Sequence, residues 1–247
     1  MNAKRPLIAV LTGAGISTDS GIPDYRGPNG LWQRDPKAQE LVTIGPYLAD
    51  SDVRRRSWQL RRETGALGAE PNAGHLALVE LERSGLPVRV LTQNVDGLHQ
   101  RSGVPERKVL ELHGTAHRVQ CVRCRVRTPM AEALARVEAG EPDPACLDCG
   151  GVLKPCTVMF GEMLDERVLA QAAAIAQNCD LFLAVGTLLQ VHPAAGLAQV
   201  AVDHGATLIV VNAAPTPYDE AAAEVIREPI SQALPPLVRR IVAGDLG

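Results

Sequence analysis

The stretch Leu7-Ile8-Ala9-Val10-Leu11-Thr12-Gly13-Ala14-Gly15-Ile16-Ser17 decides how this chain is read. Leu7–Leu11 is a short, continuous apolar run, as a strand covered on both faces requires. It breaks at Thr12-Gly13, and the small residues that follow should open a helix. Such residues let main chain approach a diphosphate, whose charge a helix N-terminus stabilises. Alone the signal is weak, because any strand can end in a glycine turn. It also departs from the hydride-transfer fingerprint: Thr18 stands where a third glycine is expected. The acidic residue about twenty positions on, Asp35, sits in proline-flanked loop sequence instead of at a strand end. An ordinary dehydrogenase is disfavoured.

The same strand-then-polar pattern recurs. Val88–Leu91 leads into Thr92-Gln93-Asn94, and Val109–Leu112 into His113-Gly114. Leu181–Val185 leads into Gly186-Thr187, Thr207–Val211 into Asn212, and Leu153–Phe160 is a sixth candidate. Helices fit between them. Asn72 can cap one ending near Gly85, before Pro87. Leu164, Val168, Ala172 and Ile175 recur at helical spacing, and Pro193 and Gly205 frame a third helix. Alternation of this kind implies an α/β fold with a doubly wound parallel sheet and right-handed crossovers. Two stretches break the rhythm. Pro23 to about Pro71 holds no convincing strand and reads as a loop with a small helical element. His117 to Leu153 holds four cysteines and a helical patch near Met130–Val137.

Those cysteines form two Cys-x-x-Cys pairs, Cys121/Cys124 and Cys146/Cys149. Each pair presents two thiolates to one ion, and two pairs about twenty residues apart complete a tetrahedral sulfur site. Unligated thiols or disulfides are the alternative. Four protein ligands leave no coordination position for substrate, so a zinc ion here is a structural clamp. Cys156 and Cys179 fit neither pair and read as small buried hydrophobes.

Composition narrows the function. The 247 residues are 46% hydrophobic and 21% charged, with a formal net charge of −3. The core is therefore ordinary, and nothing drives the chain toward DNA or an anionic membrane. Aromatics make up only 3% of the chain, too few to build stacking platforms for nucleic acid. No apolar run is long enough for a bilayer. Lys4-Arg5 before Leu7–Leu11 faintly mimics a signal peptide, but the run is too short and no cleavage site follows. Metal-type cysteine spacing points to a reducing compartment, hence the cytoplasm.

A longer string is far more specific. Gly13-Ala14-Gly15-Ile16-Ser17 is followed by Ser20-Gly21-Ile22-Pro23, Tyr25-Arg26-Gly27 and Gly30-Leu31-Trp32. Then come Thr92-Gln93-Asn94-Val95-Asp96-Gly97-Leu98-His99, Glu111-Leu112-His113-Gly114 and the two cysteine pairs. In this order and spacing, from about Pro6 to Leu237, the chain resembles the sirtuin family. The resemblance implies a Rossmann-like NAD-binding domain from residues 1–23, 76–116 and 154–247. It also implies a cofactor loop and small helical segment over 24–75, and a zinc-ribbon insertion over 117–153. The implied activity is NAD-dependent removal of acyl groups from protein lysines. In that chemistry the acyl oxygen attacks the ribose carbon bearing nicotinamide, a base activates a ribose hydroxyl that captures the imidate, and water releases O-acyl-ADP-ribose. NAD is a co-substrate, and one zinc ion is structural.

Position by position, His113 resembles the general base, a role that suits an imidazole titrating near neutrality. Gln93, Asn94 and Asp96 resemble the residues that orient nicotinamide and its ribose, with Asn94 counted as catalytic. Gly13, Ala14, Gly15, Ser17, Asp24, Tyr25, Arg26 and Trp32 resemble the cofactor loop. Gly186, Thr187, Asn212 and Ile230 resemble contacts to the adenosine half. Val158, Phe160 and Gly161 resemble the edge on which an acyl-lysine peptide adds as a strand. His75, His99, His117, His192 and His204 read as structural or solvent-facing, with His99 close enough to the site to be kept in view.

There are departures from the pattern. Tyr25 replaces a Phe, and Leu188 replaces a Ser common after Gly-Thr. Relatives that prefer succinyl- or malonyl-lysine carry a Tyr and an Arg three residues apart; here Trp58 and Arg61 fall at those places. Arg61 could pair with an acyl carboxylate, or belong to a solvated basic face with Arg54, Arg55, Arg56 and Arg62. Acetyl-lysine is the first expectation. Mono-ADP-ribosyl transfer on the same scaffold is the alternative enzyme. A zinc-ribbon nucleic-acid module using Arg118, Arg123, Arg125 and Arg127 is the non-enzymatic one, opposed by the negative balance.

Overall fold

The computed structural model describes residues 5–24, 36–63 and 68–245. Tyr25, Arg26, Trp32 and Asp35 lie outside them. Nine strands are described: β1 (Ile8–Thr12), β2 (Val88–Thr92), β3 (Val109–Glu111), β4 (Gly114–Cys121), β5 (Arg127–Pro129), β6 (Leu153–Thr157), β7 (Leu181–Val185), β8 (Thr207–Val211) and β9 (Glu224–Ile226). Helices α1 (Ile44–Ala49), α2 (Ser51–Glu63), α3 (Ala73–Arg83), α4 (Leu98–Ser102) and α5 (Met130–Glu138) precede α6 (Glu166–Asn178), α7 (Gly196–Asp203) and α8 (Ile230–Ala243). None is long and apolar enough to cross a membrane.

Six strands form one parallel sheet in the order β3-β2-β1-β7-β8-β9. The chain builds one half outward from β1 and then returns to build the other, so the winding reverses between β1 and β7. The crevice beyond the carboxyl ends at such a switch point is where open α/β sheets bind ligands. Burial explains why β1 and β7 show no polar alternation: every residue in both is buried. On one face Ile8, Val10, Val90, Leu183 and Ile209 pack against Leu78 and Leu81 of α3 and Leu234 and Val238 of α8. On the other, Leu11, Leu91, Phe182 and Val210 pack against Ala172 and Ala176 of α6 and Ala198 of α7.

A second sheet, antiparallel in the order β5-β4-β6, carries the cysteines together with α5. Here the sequence reading needs correction. The run Leu153–Phe160 is not a sixth parallel strand: Leu153 to Thr157 pairs antiparallel with β4, Leu153 facing Cys121 and Pro155 facing Val119. Leu153 and Pro155 point into the module while Lys154 and Cys156 are half-buried, so Cys156 is not the buried hydrophobe expected. The sixth parallel strand is β9, a three-residue edge.

Local signals set several boundaries. Asn72 caps α3 as expected: its Oδ1 accepts from the Gly74 amide at 2.8 Å, and His75 Nδ1 accepts the Asn72 amide at 3.3 Å. This reciprocal arrangement satisfies two otherwise orphaned donors. After the first glycines the chain makes a 3-10 helix, Ala14–Ser20, that stops at Gly21 in a left-handed conformation. α7 begins at Gly196; Pro193 instead closes the preceding turn by accepting the Gly196 amide.

Candidate active site and metal centre

The carboxyl ends of β1 and β7 meet main chain to main chain. Gly13 N donates to Val185 O at 3.0 Å, and Gly15 N to Gly186 O at 2.9 Å. A Cβ on Gly13 would lie 2.7 Å from Gly186 O. Gly186 has φ +64°, and a Cβ there would lie 2.4 Å from the Ile16 nitrogen, so both its conformation and its surroundings require glycine. Ala14 continues the same turn, half-buried.

Beneath this cradle a buried polar set knits β1 to the turn after β2. Ser17 Oγ donates to Asp96 Oδ2 at 2.7 Å. Asn94 Nδ2 donates to Gly13 O and to Ser17 Oγ, each at 3.1 Å. Asp96 Oδ1 accepts the Leu98 amide at 3.0 Å, in a turn just ahead of α4, whose N-cap is Gly97. Gln93 Nε2 donates to Thr187 Oγ1 at 2.9 Å, tying the two halves of the sheet. The sequence reading has Gln93, Asn94, Asp96, Ser17 and Thr187 near one ligand, and the fold brings them together as two adjacent sets, Ser17–Asn94–Asp96 and Gln93–Thr187. Asn212 lies after β8, is buried, and donates from Nδ2 to Ala214 O. Ile230 starts α8 and packs against the main core. Asp24 is half-buried at the edge of the described segment.

His113 follows β3. Its Nδ1 is 2.9 Å from Gln93 O. A carbonyl only accepts, so Nδ1 carries the proton and Nε2 holds the lone pair. Burial lowers the ring's pKa below its ordinary 6.5, against an opposing effect of the Gln93 carbonyl. The ring is therefore a neutral base near neutral pH. The main chain is fixed on both sides: Leu112 N donates to Thr92 O, and Val158 N to His113 O. Gly114, at φ +74°, leaves the Cys156 carbonyl where a Cβ would stand, at 2.1 Å.

A deeper layer escaped the sequence reading. Thr12 Oγ1 contacts both Thr92 Oγ1 and His99 Nε2 at 2.8 Å, and Thr92 Oγ1 accepts the Asn94 amide at 3.0 Å. His99 and His75 lie with ring centroids 5.1 Å apart. Burial pushes His99 down to about 3 and His75 to about 4. Sequence gave no sign that these threonines and histidines touch, since they lie on separate elements.

The four cysteines converge as expected. Their sulfurs all lie within 4.8 Å of one another, with Cys121–Cys149 at 3.5 Å and Cys124–Cys146 at 3.6 Å. Sulfurs about 2.3 Å from a tetrahedral zinc stand about 3.8 Å apart, so the donor set fits the ion. Gly151 makes room, because a Cβ there would lie 2.9 Å from Cys121 Sγ.

The substrate expectations fare differently. Trp58, on α2, is 1% exposed and packs with Val119, Cys121, Met130, Ala133 and Leu153 in the small module's core. It is a core residue joining the helical segment to the metal module. Arg61 Nη1 turns back onto Ser57 O at 3.2 Å and Ser57 Oγ at 2.9 Å. Val158, Phe160 and Gly161 follow β6. Phe160 N donates to Val42 O and its carbonyl accepts from Ile44 N, so its main chain is engaged by the helical segment.

Residues 13–193 match the Sir2 family. The chain is 68% identical over 235 residues to NAD-dependent protein deacetylase 2 of Streptomyces coelicolor, covering 95% of this chain and 98% of that one. It is 43% identical over 218 residues to the NAD-dependent protein deacetylase of Thermodesulfovibrio yellowstonii, covering 87% of this chain and 83% of the relative. It superposes with a TM-score of 0.86 and 40% identity on a solved structure described as the basis for mechanism and regulation of Sir2 enzymes, covering 96% of this chain and 93% of that chain. A complex of Sir2, p53 peptide and NAD+ matches with a TM-score of 0.81 and 33% identity, covering 98% of this chain and 94% of that chain. Fold, motif order and these similarities agree: the chain belongs to the Sir2 family.

Proposed function

We infer that this chain is an NAD-dependent protein-lysine deacylase that uses one structural zinc ion. The observation that carries the reading is His113, held by Gln93 O with Nε2 bare, beside a buried Ser17–Asn94–Asp96 network at the sheet's switch point. NAD fits the residues present: Gly13, Gly15 and Gly186 let the turns after β1 and β7 pack main chain to main chain, and a glycine turn at a strand's carboxyl end is where main chain can approach a diphosphate. Bound NAD supplies the activated ribose carbon and the hydroxyl that receives the acyl group. Asn94 spends its amide hydrogens on Gly13 and Ser17, so Oδ1 is the end that meets the nicotinamide ribose. Asp96 holds Ser17 and the start of α4 in place. His113 Nε2 takes the proton of the ribose hydroxyl. Tyr25, Arg26 and Trp32, outside the described residues, complete the cofactor loop in this reading. Asp24, Asn212 and Ile230 serve the same ligand.

The substrates are acyl-lysine peptides, which pair as a strand beside the Val158–Gly161 segment. Because Phe160 is engaged by Val42 and Ile44, Val158 N by His113 O and the Met159 main chain by Glu162, that pairing uses the main-chain groups left over, such as Val158 O and Gly161 N. Acetyl-lysine comes first, since Arg61 is drawn back to its own helix and Trp58 is in a core. Relatives at 68% and 43% identity are named deacetylases, which favours deacylation over mono-ADP-ribosyl transfer. The metal-type cysteines keep the cytoplasm as the proposed compartment. The test is incubation with NAD and a panel of acyl-lysine peptides, followed by mass spectrometry. O-acetyl-ADP-ribose with free nicotinamide is expected; ADP-ribosylated protein without acyl removal would overturn the reading.

A further inference from the structure

Thr92, Gln93 and Asn94 form the turn on which the site is built. It carries the Asn94 side chain, and its Gln93 carbonyl fixes the His113 tautomer. Four hydrogen bonds hold this turn: Gln93 N to Thr12 O at 2.9 Å, Leu112 N to Thr92 O at 2.8 Å, the Asn94 amide to Thr92 Oγ1 at 3.0 Å, and Thr12 Oγ1 to Thr92 Oγ1 at 2.8 Å. The hydroxyl pair is buried, and among the described residues the only side chain other than threonine bonded to it is His99, through Nε2.

Hydroxyl pairs can point either way, and the surroundings choose the direction here. Thr92 Oγ1 already accepts the Asn94 amide. If Thr12 donates to Thr92, His99 must donate from Nε2 and leave Nδ1 bare. If the chain ran the other way, His99 would accept at Nε2 and carry its proton on Nδ1. His75 arbitrates. Its Nδ1 accepts the Asn72 amide, so its own proton sits on Nε2. His75 Nε2 and His99 Nδ1 are both buried and without a direct partner among the described residues. The two rings lie 5.1 Å apart centroid to centroid and do not bond each other. Thr12 Oγ1 donates to Thr92 Oγ1, so His99 gives its Nε2–H to Thr12, and of these two rings one unpartnered N–H is buried where the reverse tautomer would bury two. Both rings stay neutral at physiological pH because burial disfavours the cation.

We propose that His99 is a positioning residue for the deacylation inferred above: its Nε2–H sets the direction of the Thr12–Thr92 hydroxyl chain and so holds the turn that carries Asn94 and orients His113. It touches neither substrate nor cofactor.

Two measurements test this. Nitrogen-15 NMR of the histidine rings of the wild-type protein reads the tautomer without any activity. The His99 ring is expected to be protonated at Nε2 and bare at Nδ1 across about pH 5 to 8; a proton on Nδ1 overturns the proposal. Kinetics on variants read the consequence. His99→Leu is expected to lower kcat for nicotinamide release roughly tenfold, leaving KM for the acyl peptide and the zinc content unchanged. His99→Gln, whose amide nitrogen reaches the Thr12 hydroxyl, is expected to restore most of kcat. Thr92→Val is expected to match His99→Leu, and the double variant to lose no more than either alone. Unchanged kcat in His99→Leu, no rescue by Gln, or additive losses would each overturn the proposal. Should the wild type release no nicotinamide from NAD, the functional reading falls, while the tautomer still judges His99.

Discussion

His113 Nδ1 sits 2.9 Å from the carbonyl oxygen of Gln93, and that contact decides which ring nitrogen does chemistry. The residue that orients the base belongs to the turn that also carries Asn94. In the proposed function, base and nicotinamide-side polar groups are therefore set by one piece of main chain.

His113→Ala is expected to cost about 10²- to 10⁴-fold in kcat/KM while zinc content and melting temperature hold. The pH profile carries the sign. Burial lowers the folded pKa below 6.5, so the ring is the free base at neutral pH and is lost as a base only when pH falls through that lowered value. The acid limb of kcat/KM therefore lies below 6.5. Retained turnover in the alanine variant, or an acid limb above that value, would remove the base assignment.

Cys146→Ser removes one of four sulfurs that lie within 4.8 Å of one another. Metal binding and folding are coupled in such modules, so zinc should be lost and the melting temperature should drop by about 10 °C or more. Elemental analysis and thermal unfolding check both. Full stability in a metal-free protein would show that the cysteines are not a clamp.

Gly186→Ala places a Cβ 2.4 Å from the Ile16 nitrogen in a backbone at φ +64°. The cradle must open, and KM for NAD is expected to rise about tenfold or more from the misplaced diphosphate site. KM for the acyl peptide should move far less. A variant with wild-type KM for NAD would place the dinucleotide elsewhere.

Trp58→Ala empties part of the core between α2 and the metal module, so a loss of about 3–5 kcal/mol is expected by chemical denaturation. Because the indole is buried in that core, the ratio of acetyl- to succinyl-peptide turnover is expected to be unchanged. A shifted ratio at preserved stability would return Trp58 to the acyl pocket.

The elements with their own chemistry were legible. Leu181–Val185 and Thr207–Val211 match the observed strands to the residue, because both are continuous apolar runs in the middle of a covered sheet. Asn72 announced its helix by its capping chemistry. β9 was illegible, since Glu224-Val225-Ile226 is three half-buried residues that pair only because β8 is already there. β6 was mistaken for a parallel strand although Lys154 and Pro155 broke its apolar run; the alternation of Leu153 and Pro155 with Lys154 and Cys156 was the available clue. Trp58 sits in an arginine-rich helix, and its burial depends on a partner more than sixty residues away in the sequence. The Thr12–Thr92–His99 layer required the register of β1 and β2, which pairs Thr12 with Thr92 and which no local pattern reveals.

Strand β4 begins at Gly114, next to the imidazole of the proposed base His113, and ends at Cys121, one of the four clustered cysteines. One strand, with a shift of register against β6 between Gly114 and Val119, thus runs from the metal module to the proposed reaction centre. Chelation should silence the enzyme from afar, by tilting a residue the metal never meets, and returning the ion before the module unravels should bring turnover back.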